Sequence, residues 1–280
     1  RFVQDDGNVT IHCESSYGAL RLYGGSYELH GGHLTGKKVL IGLQSACTFV
    51  QTGGLHACNG TLSIGEAADL ATYRISGGTL RCHVLDLGVE GAGLMDITSS
   101  IPHIDVEQQL NLGPDATLCS APNAAIHMTG SDFDCRSTNP AAMEGLGNLR
   151  LIFEGGAAQQ DTMEVACEDK GPVMDGLVRN FALGALQIGG DNIGWLRLDD
   201  AFDNQPGWAG SECLYVERLD IGLGSTLDLN GRTLYYLHAD VDTGATVILN
   251  GGRMERVPEP ATLALLALGG LAAVIRKGRR

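Results

Sequence analysis

Apolar and polar residues alternate along the first half of the chain in short runs that return at a nearly constant step. The tetrads Val39-Leu40-Ile41-Gly42, Leu62-Ser63-Ile64-Gly65, Leu85-Asp86-Leu87-Gly88 and Leu110-Asn111-Leu112-Gly113 share an apolar-x-apolar-glycine form, with glycines 23, 23 and 25 residues apart. The pairs Gly31-Gly32, Gly53-Gly54 and Gly77-Gly78 step by 22 and then 24, each about eight residues ahead of its tetrad. Alternation of period two predicts strands with one buried face. Gly-Gly and Asn59-Gly60 predict corners, where positive φ is cheap. A unit this short cannot bury its own face, so units stack, strand on strand, at about 4.8 Å per coil. The expected fold is all-β: a right-handed, single-stranded parallel β-helix, or β-solenoid, followed by a C-terminal hydrophobic helix. A β-propeller is the alternative, kept open by the doubled period of 46 to 47 residues, since blades need about 40 or more.

Phe2-Val3-Gln4 returns as Phe49-Val50-Gln51, two periods later, so the repeat is already running at residue 2 and missing amino-terminal coils are expected. Arg1 is not an initiator methionine, and no apolar leader follows it. The organisation expected is regular coils over 1–137, irregular loop-decorated coils of the same solenoid over 138–217, final coils over 218–254 and a terminal segment over 255–280. Near variants of the tetrad, Leu227-Asp228-Leu229-Asn230-Gly231 and Val247-Ile248-Leu249-Asn250-Gly251, mark the final coils.

Composition narrows the function. With 19 Lys plus Arg against 33 Asp plus Glu, the net charge is −14, which opposes nucleic-acid binding and favours a surface that collects cations. Forty glycines with 44% apolar content suit stacked turns and short strands and argue against disorder.

The terminal segment is of another kind. Val257-Pro258-Glu259-Pro260 precedes an apolar run from Ala261 to Ile275, closed by Arg276, Lys277, Arg279 and Arg280. Fifteen residues rise only about 22 Å as a helix, short of the roughly 30 Å hydrocarbon core. The arms of Arg276 and Lys277 can snorkel, so marginal spanning with a cytoplasmic basic end is expected. A buried core helix is the plainer alternative, but it has no use for a basic cluster. In this order the segment resembles the bacterial PEP-CTERM sorting signal. The resemblance implies recognition and processing by an exosortase-type membrane protease and delivery to the cell surface or extracellular matrix. Phe49-Val50-Gln51-Thr52-Gly53-Gly54 is similar to repeats of autotransporter-like passenger regions, and 184–252 resembles the last coils of glycine-rich surface proteins with such tails.

Eight cysteines in an exported chain invite disulfides. Cys58 and Cys82 each lie five residues after the first glycine of a pair, so they are expected on adjacent coils at one lateral position. A bridge, a ladder of stacked thiols and a metal shared with His56 are all open, although three ligands are fewer than a closed zinc site wants. The other cysteines show no pairing pattern. Asp199, Asp200 and Asp203 crowd a loop that could hold Ca²⁺ through oxygen ligands, although the spacing fits no EF-hand and a solvated acidic loop is the plainer reading. No other cofactor is implied. No nucleophile elbow, phosphate loop or zinc-helix motif occurs. The function expected is a non-catalytic extracellular or cell-surface structural or adhesive protein, associated with exopolysaccharide or biofilm matrix. The alternatives are a carbohydrate-active β-helix lyase or hydrolase, with Asp199, Asp200 and Asp203 converging on Arg179 or Arg197, and a carbohydrate-binding module exposing Trp195 or Trp208.

Overall fold

A computed structural model describes residues 1–11, 19–67, 69–130 and 132–258. It is a β-solenoid of about 11 coils, in which each strand pairs in parallel with its counterpart one coil further on. Ile41 pairs with Ile64, Ile64 with Leu87 and Leu87 with Leu112, all buried in one interior column. A second column runs Val39, Leu62, Leu85, Leu110, Phe133, Met163 and Leu198. In-register stacking sets like side chains one strand spacing apart, so each aliphatic side chain is covered above and below, and burial stabilises each by about 1.5–3 kcal/mol.

One face is a six-stranded sheet of Phe2–Gln4, Gly25–Leu29, Cys47–Gln51, Ala71–Ile75, Gly93–Ile97 and Ala116–Ser120. The long strands His33–Ile41, Leu55–Ile64, Thr79–Leu87 and His103–Leu112 supply the other faces. Asn59-Gly60, expected at a corner between strands, instead lies inside Leu55–Ile64 at a register shift between Cys58 and Thr61. Two residues there face one on each neighbouring strand, so the strand bends without breaking. The true corner glycines are the second of each pair and the last of each tetrad. Gly54 (φ +68°) and Gly65 (φ +94°) are left-handed, and a Cβ on either would strike backbone of an adjacent coil.

The 47-residue echo of Phe-Val-Gln has a physical cause. Gln4 and Gln51 point inward, and each amide donates to a carbonyl three residues on (Gly7 and Gly54) and to one on the next coil (His33 and Thr79). Tyr27 and Tyr73, from the following coils, donate to their Oε1 atoms at 2.7 and 2.6 Å. Each glutamine thus ties its own corner to the next coil. The rings of Tyr27, Phe49 and Tyr73 stack with centroids 4.8–4.9 Å apart.

Beyond Ala116–Ser120 the six-stranded face gains no strand. The backbone amide of Leu118 donates to Ala142 and the Ser120 hydroxyl to Gly145, within a segment ending in the 3-10 helix Glu144–Asn148. The remaining sheet continues through longer coils: Leu151 pairs with Leu186 and Leu186 with Leu219, steps of 35 and 33. The final coils shorten to 20, Leu214 to Leu234 to Met254. Their Asn-Gly steps are turns, for Asn230 and Asn250 both sit at φ +48°. Asn250 Nδ2 donates to Asp228 Oδ1 at 2.8 Å, locking one turn to the next.

Candidate functional site

Among the places that carry chemistry beyond stacking are an acidic corner on the long coils and the junction with the terminal segment. The corner is built where Asp161–Glu164 pairs with Trp195–Asp199, setting Glu164 opposite Asp199. Glu164 turns toward the loop that follows. Its carboxylate accepts the amides of Ala201 (3.0 Å) and Phe202 (2.8 Å). Glu212, at the far end of that loop, accepts those of Asn204 (2.6 Å) and Gln205 (2.9 Å) through Oε1. Asn204 is itself buried and donates to the carbonyls of Cys135 and Ser137. The loop is thus folded around two glutamates, each 5–6% exposed.

Asp200 joins them. Oxygens of Glu164, Asp200 and Glu212 lie within 4.8 Å of one another, the single group of three or more such ligands among the described residues. Arg232 supplies one cation, 2.6 Å from Asp200. Glu212 Oε2 and Asn204 Oδ1 are buried with no hydrogen-bond partner. Burial pushes the Glu212 carboxyl up to about 7 against the pull of its two amide bonds, and it raises Glu164 in the same direction. Oxygens spaced this way match the shell around a hard cation bound at about 2.3–2.6 Å. A cleft of ≈ 300 Å³ lined by Asp134, Arg136, Glu164 and Phe202 opens beside them.

Of the three aspartates singled out in the sequence, only Asp200 converges. Asp199 Oδ1 accepts the Asp200 amide and Asp203 Oδ1 that of Gln205, which are local turn bonds. Arg179 pairs with Glu144 instead, and Arg197 makes no ion pair with the corner among the described residues. Glu164 and Glu212 were missed because they lie 36 residues before and 12 after Asp200, and no repeat relates them. Trp195 and Trp208 are both half-buried, the latter packed over Gly210.

Cys58 and Cys82 do stand opposite each other on adjacent coils, fully buried. Cys58 Sγ points back to the Lys37 carbonyl and Cys82 Sγ forward to that of Asp105. His56 shares their interior face, bonded to the Tyr73 hydroxyl at 2.9 Å, and burial lowers its pKa to about 3, so it is neutral.

The solenoid meets the terminal segment at Val257. The last strand, Arg253–Arg256, is followed by Val257, whose side chain is buried and whose amide donates to Tyr236 at 2.7 Å; Pro258 is exposed. Glu259, Pro260, Arg276, Lys277, Arg279, Arg280 and the expected helix lie outside the described residues. Among those described, no helix is long and apolar enough to cross a membrane. Residues 256–280 match the model of the PEP-CTERM protein-sorting motif. No curated protein and no solved structure matches the chain. The motif implies export and cell-surface sorting through an exosortase-type system, and a β-solenoid fits a surface protein.

Proposed function

We propose that this protein is a non-catalytic structural or adhesive element of the cell surface, its solenoid holding an acidic face away from the envelope and against exopolysaccharide. The observation that carries this reading is continuity. One buried column runs from Val39 to Leu198, and the last coil passes straight into the sorting motif at Val257. Stacked coils make a stiff spacer, because bending would separate interior side chains that touch along the whole length. The net charge of −14 favours contact with polysaccharide through shared divalent cations. The test is co-sedimentation of the exported protein with the producer's own exopolysaccharide, with calcium and with chelator. Binding that chelator removes is expected. No binding under either condition overturns the adhesive role.

The carbohydrate-active alternative finds less support. The glutamates that could act as acid and base are buried, and Glu164 and the Oε1 of Glu212 are bonded to loop amides. Release of reducing ends or unsaturated uronates from a polysaccharide panel would establish it against the scaffold reading.

A specific observation favours a structural cation at the corner: the buried Oε2 of Glu212 has no partner although two other carboxylates lie beside it. Uncompensated buried charge is costly, and an oxygen-ligated Ca²⁺ held by Glu164, Asp200 and Glu212 would remove that cost. Melting curves of the whole protein with millimolar calcium and with chelator test this. A higher midpoint in calcium, abolished in Glu212→Gln, is expected. Identical curves at alkaline pH overturn it.

A further inference from the structure

Two cysteines without a pairing pattern in the sequence are set face to face by the long coils. Cys167 and Cys213 form an isolated antiparallel bridge and exchange both backbone hydrogen bonds, Cys167 N to Cys213 O at 3.1 Å and the reverse at 2.9 Å. Directly opposed residues in that arrangement have Cα atoms about 5.5 Å apart, inside the range a disulfide spans. Opposed residues also project to the same side, and both side chains here are wholly buried. Cys213 Sγ turns toward its neighbour, donating to the Cys167 carbonyl at 3.5 Å, and the two thiols are unjoined in this structure. The contrast with Cys58 and Cys82 is one of direction, since those thiols point along the solenoid in opposite senses.

We propose that Cys167 and Cys213 are joined by a disulfide in the exported protein. The proposal rests on the export reading for its oxidising surroundings. The two thiols lose two protons and two electrons as the S–S bond forms. A protein disulfide oxidant outside the cytoplasm accepts them, its own disulfide becoming two thiols. The reaction belongs to the folding chain. In the native state burial holds the Cys167 thiol at about 12 and pushes that of Cys213 higher still, so neither supplies a thiolate.

The bond would close residues 168–212 into a loop. That loop contains the left-handed Arg179 and Phe181 and the segment folded around Glu164 and Glu212. The sheet cannot hold this region by its period, because coils there differ in length, and a covalent clip does so. Cys135 is the competing partner, a buried thiol close enough to act on Cys167 electrostatically.

The experiment is alkylation under denaturing conditions, without reduction, of protein collected from outside the cytoplasm, followed by peptide mapping. The expected result is one cross-linked pair containing Cys167 and Cys213, lighter by two hydrogens than the separate peptides. Alkylation of both cysteines in that protein, or a Cys135–Cys167 pair, overturns the assignment. A parallel sample refolded in oxidised and reduced glutathione separates the two premises. A bond formed there but absent from the native source refutes the export setting, and absence from both refutes the pairing. Reductant should lower the melting midpoint of the wild type and leave that of a Cys167→Ala/Cys213→Ala double variant unchanged. Equal sensitivity of the two sinks the proposal even if the variant folds poorly.

Discussion

The regular coils before residue 138 and the long coils after it use the same interior columns but treat polar groups in opposite ways. Among the described residues of the regular coils, the buried polar side chains are neutral: Gln4, Gln51, His56, Ser63 and Ser137. The glutamines satisfy their neighbours by tying coil to coil. In the long coils, four carboxylates are buried, those of Glu154, Asp161, Glu164 and Glu212. Apart from His56 Nε2 and Arg232 Nε, every buried side-chain nitrogen or oxygen without a partner among the described residues also lies there. The difference follows from coil length. A coil of constant length bonds its backbone to the next coil, whereas an inserted loop leaves amides over. Glu154, Glu164 and Glu212 collect those amides from Asp191, Ala201, Phe202, Asn204 and Gln205. Charge has replaced register as the organiser, and unmatched buried groups are the cost.

The sharpest way to break this comparison is to cut the column on both sides of the divide. Leu85→Ala and Leu198→Ala should each lose about 3–5 kcal/mol in denaturant titrations. Equal losses with a single transition would show one cooperative unit, while two transitions with only the later shifted by Leu198→Ala would show that the long coils unfold separately. Next is pH. Burial, with help from neighbouring Asp132, raises Asp161 to about 7. Its folded state therefore binds a proton more tightly than the unfolded chain does. The stability this contributes is present below the unfolded pKa near 4 and lost as pH rises through about 7. That loss is at most about 4 kcal/mol. Asp161→Asn should flatten the pH profile of the melting midpoint over this window, and an unchanged slope would remove Asp161 as its source. Gln51→Leu should then cost about 1–2 kcal/mol by removing the acceptor of the Tyr73 hydroxyl and the donor to the Gly54 and Thr79 carbonyls, read in the same titration. The smallest effect belongs to the outer surface. Arg74→Ala breaks an exposed pair with Asp96 at 2.9 Å and should cost less than about 1 kcal/mol, and less again in high salt.

The contrast also explains what could be read from the sequence. The tetrads and Gly-Gly pairs announced the columns and corners because constant coil length repeats each environment every 22 to 25 residues. Where 144–148 replaces a strand and steps grow to 33 and 35, the same leucines remain inside but their spacing hides them. The segments ending at Asn230-Gly231 and Asn250-Gly251 stood out as variants of the tetrad because the residues before them alternate, and the left-handed backbone at each asparagine makes the turn. The acidic corner and the Cys167–Cys213 bridge draw residues from separate insertions, which no period connects. Asp200 was visible as part of an acidic run, but its partners were not. The sorting motif was legible because its parts are contiguous and chemically unlike the solenoid.

Force has a defined entry point in this molecule. The amide of Val257 is bonded to Tyr236, on the coil beneath, and the sorting tail begins here. A pull on the tail therefore meets the 20-residue coils first. Each coil released would lengthen the tether by roughly 70 Å, at about 3.4 Å per extended residue, while the coils beyond stay wound. Tension would be relieved in instalments, starting with the coils nearest the sorting motif.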